Sequence, residues 1–223
     1  MPETIFSEIH AEPLSEVVVR VVREAIIEGR LAPGQLINQA DLAKQLGVSR
    51  APLREGLRQL ETEGLVSHVP YRGTIVAPLT RRSVTELQSF RMVMETFAAK
   101  LMLTTITPED LDGLEKLVDD MERAADHGEV DELNNFDLAF HTRVIELSGH
   151  RLLMFVWENY VQRIRRALTL RNRANTDLHP LIDMHRELTA AFRDGDIAHI
   201  ERCYESHGKD VPDMLSHLFV DEE

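Results

Sequence analysis

Four polar side chains in the second half of this chain stand where a helical repeat calls for apolar ones. Leu133, Phe136, Phe140, Val144 and Leu147 recur along one face, and Asp137 and His141 lie on it at i and i+4, the spacing that aims two side chains at one ion. His185 sits among Leu181, Leu188 and Phe192. His207 fills the vacant turn between Tyr204 and Val211 on a last helix that also carries Ile200, Met214 and Leu218. Three imidazoles and a carboxylate from three helices suit a divalent transition ion, zinc or nickel rather than magnesium, with water or a ligand carboxylate completing the sphere. A single inward histidine is more often a core residue satisfied by a hydrogen bond, but the other histidines mostly fall near breaks and show no such register. The same set could hold a Lewis-acidic ion for an enzyme, or make the ion itself a signal. No convincing general base accompanies it, and an enzyme would leave the first eighty residues without a purpose.

Arg91 breaks a stripe in the same way, in the middle of Val84, Leu87, Met94, Ala98 and Leu101. A buried guanidinium needs a partner. One is Glu95, a turn away; the other is the carboxylate of an effector held beside the metal.

A second constellation lies near the N-terminus. At ~100° per residue, Arg50, Arg54 and Arg58 fall within a stripe of ~80°, beside Leu53, Leu57 and Leu60 in the next ~60°. One edge packs while the next presents planar guanidiniums able to bond bidentately to guanine or phosphate. The turn Gly47-Val48-Ser49 has the length that sets two helices steeply enough for the second to enter a major groove, and Arg72 sits at a hairpin tip within reach of a phosphate or the minor groove. The plainer reading of the arginines is a solvated face with Glu55 and Glu61.

The elements that must position these groups follow from periodicity and breaks. Leu14, Val18, Val21, Val22, Ala25 and Ile26 mark a first helix that ends before Gly29; Asn38 caps a short second helix that Gly47 ends; Ser49 caps a third. LVSHVPYRGTIVAP reads as two short strands around a turn at residues 70–73. Beyond Pro78 the pattern is helical, with breaks near residues 107–108, 127–128, 148–149, 172–176 and 194–195, which implies about six helices. The expected architecture is mainly α: a winged helix-turn-helix over residues 1–80 and an all-α bundle over 81–223.

Composition narrows the class. The chain has 223 residues, 43% of them hydrophobic, and a single cysteine, Cys203, which rules out an intrachain disulfide and is too little for a thiolate metal site. A net charge of −13 argues against nucleic acid until its distribution is considered. Residues 1–80 carry 8 Lys/Arg against 10 Asp/Glu, and the remainder 17 against 28, so the acidity sits in the second part. No run approaches the roughly 18 apolar residues of a membrane span, and the acidic N-terminus MPETIFSEIHAEPLSE is unlike a secretory signal, so a cytoplasmic location is expected.

The segment DLAKQLGVSRAPLREGLRQLETEGLV followed by YRGTIVA resembles the GntR family of regulators over roughly residues 18–77. The resemblance implies double-stranded DNA contacts from Ser49, Arg50 and Arg54 and a wing at Tyr71, Arg72 and Gly73 beside the groove. Gln39-Ala40 departs from the family pattern of a Glu and then a basic or polar residue. Residues 83–218 resemble the FCD ligand-binding domain of FadR-type members, whose D-x3-H, H and H pattern is filled by Asp137, His141, His185 and His207, as in the metal-binding members. The RxxxE spacing of Arg91 and Glu95 also occurs there. His150 stands where many members have Asn. The resemblance further implies a homodimer on an inverted-repeat operator, a small organic acid as effector, and repression relieved by it.

Overall fold

A computed structural model describes residues 12–207 and 209–219; the first eleven residues, including His10 and most of the acidic stretch, lie outside it. α1 (Leu14–Ile27) buries Val18, Val22 and Ile26, as its period demands, together with Val19 and Ile27. Leu14, expected on that face, is exposed in the first turn, just after Pro13 and with no side-chain cap. α2 (Gln39–Leu46) starts at Asn38, whose side chain accepts from the Ala40 and Asp41 amides, and ends at Gly47 in the left-handed conformation. α3 (Arg50–Thr62) seats Leu53, Leu57 and Leu60 against α1. Each such buried side chain contributes about 1.5–3 kcal/mol. Gly56 permits the close crossing, because a Cβ there would come within 2.8 Å of Val18 Cγ1. Ser49 takes extended backbone at the N-cap, but its hydroxyl makes no cap bond, contrary to the capping role expected of it.

The wing is β1 (Val66–Val69) paired antiparallel with β2 (Gly73–Val76), Val66 opposite Val76. Its turn places Tyr71 at φ 64°, fully exposed, and Gly73 at φ 99°, a conformation that glycine adopts without strain.

The second part is helical throughout: α4 (Arg81–Met102), α5 (Pro108–Asp126), α6 (Val130–Leu147), α7 (Arg151–Ala174), α8 (His179–Asp194) and α9 (Ile197–Ser206), then the short α10 (Val211–Met214) and a 3-10 turn at Ser216–Leu218. Capping boxes at Thr80 and Thr107 start α4 and α5. His150 caps α7, its Nδ1 accepting the Leu153 amide at 3.1 Å, which is work an Asn could do in that position. The continuous last helix expected from Ile200 to Leu218 is broken. α9 ends at Ser206, and His207 stands at its C-cap with extended backbone at φ −68° and ψ 112°. Among the described residues no helix is long and apolar enough to cross a membrane.

α7 joins the two parts. Its Arg165 holds Glu24 of α1 at 2.7 Å, Arg173 donates to the Glu28 carbonyl, Arg163 to the Glu63 carbonyl and Arg166 to the Ala77 carbonyl.

Candidate metal centre and nucleic-acid interface

α6 presents Asp137 and His141 one turn apart, α8 brings His185 across from them, and the end of α9 delivers His207. All four are buried, and one donor atom from each lies within 4.8 Å of the others. Asp137 Oδ1 is 2.9 Å from His185 Nε2 and 3.3 Å from His141 Nε2, and the two Nε2 atoms are 3.2 Å apart.

The outer nitrogens decide what this crowding means. His185 Nδ1 faces the Leu181 carbonyl at 2.7 Å, and His141 Nδ1 faces Glu95 Oε2 at 2.7 Å. A carbonyl and a carboxylate only accept, so both Nδ1 atoms carry the hydrogens. In the neutral rings both Nε2 lone pairs then point at each other and at a carboxylate oxygen. A cation among them turns that repulsion into coordination, and the outward Nδ1–H bonds are what fix metal-bound imidazoles. His207 Nε2, buried with no hydrogen-bond partner, fits as a further donor. The residues present therefore suit a divalent ion, with imidazole ligands favouring a transition metal.

Electrostatics agree. Burial alone would raise the Asp137 carboxyl, but His141 and His185 outweigh it and hold it well below the usual range. Burial, with His185, Arg91 and His141 nearby, pushes the His207 imidazole well below its ordinary value, leaving its nitrogen free to ligate.

Arg91 is buried on α4, its Nε 2.5 Å from Glu95 Oε1. Glu95 thus bridges Arg91 and His141. The sequence left an ion pair or an effector clasp as alternatives; the pair forms through Nε alone, and both Nη atoms stay buried without partners. Three further groups were not singled out from the sequence. Arg171 on α7 is buried with Nε and Nη1 unpartnered and feels Asp137 and Arg91. The Tyr204 hydroxyl is buried and unpartnered, and Asn172 donates to Asn134 at 2.7 Å. Arg171 had a signal of the same kind as Arg91, since it continues the apolar stripe of Ile164 and Leu168.

In the head, Arg50, Arg54 and Arg58 are exposed along α3, and Arg72 at the wing tip, with no acid partner among the described residues. Arg20, Arg23 and Arg30 are instead paired with Glu12, Glu63 and Glu28. The free cations of the head thus include the α3 stripe and the wing, which offsets the acidic net charge where a duplex would lie. Gln39 bonds Thr74 of the wing at 3.1 Å, and Gln39 and Ala40 line a shallow cleft with Arg50 and Arg54.

The family of bacterial regulatory proteins called gntR matches residues 14–76, and the FCD domain matches residues 86–210. The chain is 33% identical over 139 residues to the uncharacterized HTH-type transcriptional regulator YdhC of Bacillus subtilis, a stretch spanning 62% of either protein. It is 24% identical over 207 residues to the gluconate operon transcriptional repressor of Bacillus licheniformis, covering 91% of this chain and 85% of that one. Among solved structures it is similar to McbR/YncC of E. coli (TM-score 0.72, 24% identity, 92% of this chain and 95% of that one). It is also similar to a putative GntR regulator of Rhodococcus sp. RHA1 (TM-score 0.75, 21% identity, 92% and 99%). With a DNA-reading head and an FCD domain in the FadR-like arrangement, the chain belongs to the GntR family and is a transcription regulator rather than an enzyme.

Proposed function

We propose that this regulator is a cytoplasmic homodimeric repressor, with domains at 1–80 and 81–223, that leaves an inverted-repeat operator when a small organic acid binds at a zinc or nickel centre. The observation that carries the reading is the pairing of two facing imidazole lone pairs with the unpartnered Nη atoms of Arg91. An ion held by Asp137, His141, His185 and His207 supplies positive charge for an acid's carboxylate. Arg91 offers that carboxylate two fixed donors, and Glu95 holds the guanidinium in place. Together with the ion, Arg91 and Arg171 exceed Asp137 and Glu95 in charge, which favours a dicarboxylate over a monocarboxylate.

On the DNA side, Ser49, Arg50 and Arg54 at the start of α3 meet base edges and phosphates, Arg58 lies a turn further along, and Tyr71, Arg72 and Gly73 form the wing contact. α7 supports the coupling: it carries Arg171 at the effector site and Arg165 and Arg173 against α1. A ligand that favours one position of this helix favours one angle of the head. An apolar face of Phe90, Val93 and Phe97 on α4 and Leu152 and Phe155 on α7 is exposed, and a second copy would cover it.

The deciding experiment is calorimetry of metal-loaded protein against small mono- and dicarboxylic acids, with mobility shifts on operator DNA in parallel. An acid that binds and weakens operator affinity supports the reading. Operator affinity that follows metal alone, with no acid binding, would make the ion the signal.

A further inference from the structure

A cavity of about 650 Å³ lies away from the metal centre, at the joint between head and sensor. Its walls come from the end of α3, the start of β1, residues 77–79, the first turns of α4 and the middle of α7. Small-molecule pockets typically run to roughly 300–1,000 Å³ and favour domain joints. Leu65, Leu79, Val84, Leu87, Phe90 and Tyr160 give this one apolar and aromatic sides from both parts of the chain.

One charged group in the wall is left incomplete. Arg166 is buried, and its Nη1 donates to the Ala77 carbonyl at 2.8 Å, but Nε and Nη2 have no partner. Burial, with no acid to oppose it, pushes the guanidinium down to about 10. Its neighbours are satisfied: Arg163 bonds the Glu63 carbonyl and lies over Tyr160, and Arg165 holds Glu24. The wall's carboxylates are engaged elsewhere, Glu61 by the His68 amide and Glu86 by Arg82. Holding Ala77 accounts for one donor of Arg166. The two that remain are the side-on fork with which arginine grips a carboxylate.

We propose that this joint cavity is a second small-molecule site, taking a monocarboxylic acid with an apolar body whose carboxylate meets Nε and Nη2 of Arg166. Glu61 and Glu86 disfavour a polyanion, and a neutral ligand leaves the guanidinium uncompensated. The apolar body touches both head and sensor, so an occupant holds them at one angle.

The test is calorimetric titration of the purified full-length protein with hexanoate, and with hexanol as the neutral control. Hexanoate should bind wild type and Arg91→Ala alike, because the metal centre is not involved. Arg166→Met, and replacement of the carboxylate by the alcohol, should each weaken binding about tenfold or more, the scale of one charge-assisted hydrogen bond. Leu87→Trp fills the cavity without touching Arg166, so it should also abolish binding and serves if Arg166→Met fails to fold. The proposal is overturned by hexanoate binding that disappears in Arg91→Ala and survives Arg166→Met, by equal binding of hexanol, or by no binding to wild type.

Discussion

The Nε2 atoms of His141 and His185 lie 3.2 Å apart while both Nδ1 atoms are committed, one to Glu95 and the other to the Leu181 carbonyl. Two bare nitrogens at that distance, with the Asp137 oxygen beside them, need positive charge between them. Purified protein should therefore carry about one divalent transition ion per chain, as a single four-ligand set allows. Elemental analysis checks this, and His185→Ala and His207→Ala should each lose most of the ion. Full metal content in both variants would remove these residues from the site.

Chelation should lower the melting temperature of wild type, because an ion bound only by the folded chain stabilises it by mass action. His185→Ala, already without the ion, should melt at the same temperature with or without chelator. A chelator-induced drop of equal size in that variant would place the stabilising metal elsewhere.

Glu95 touches no ligand position itself but orients His141 and holds Arg91. Glu95→Gln should reduce metal affinity roughly 10–100-fold, the usual effect of losing the partner behind a metal-bound imidazole. Competition with a chromophoric chelator measures it, and an unchanged constant would mean that the Glu95–His141 bond plays no part in holding the metal.

Arg91→Ala should weaken binding of the acid effector while metal content stays near that of wild type, and operator binding without effector should persist. Arg171→Gln should act selectively, reducing affinity for dicarboxylates more than for monocarboxylates. Calorimetry on samples with measured metal content checks both; equal losses for the two classes of acid would exclude Arg171 as the second anchor.

Arg54→Ala should cost about 1–3 kcal/mol of operator discrimination with the fold intact, since its side chain lies outside the leucine stripe. Arg20→Ala, which removes a cation already paired with Glu12, should leave operator affinity nearly unchanged. Mobility-shift titrations of the two variants side by side give the comparison, and equal losses would mean that only net charge matters.

Phe97→Glu places a charge in the exposed apolar face of α4 and α7 and should convert a dimer into a monomer in light scattering. An unchanged mass would assign the dimer contact to another surface.

The sequence by itself determined what depends on near neighbours along the chain. Asn38 and Gly47 bound α2 through their own capping geometry, and the leucine and arginine stripes of α3 follow from a 3.6-residue period. Asp137 and His141 share a face for the same reason. Family resemblance joined His185 and His207 to them, but periodicity could say only that each interrupts an apolar pattern. Their convergence within 4.8 Å depends on how α6, α8 and α9 pack. Tertiary structure alone fixed the tautomers, because the Leu181 carbonyl and Glu95 that set them are known only once side-chain directions are known. It also ended α9 before His207, where the apolar pattern had run on to Leu218, and brought Arg171 near Asp137 from a different helix. Local periodicity says which face of a helix is buried; which groups meet across that buried face is decided by packing between helices distant in sequence.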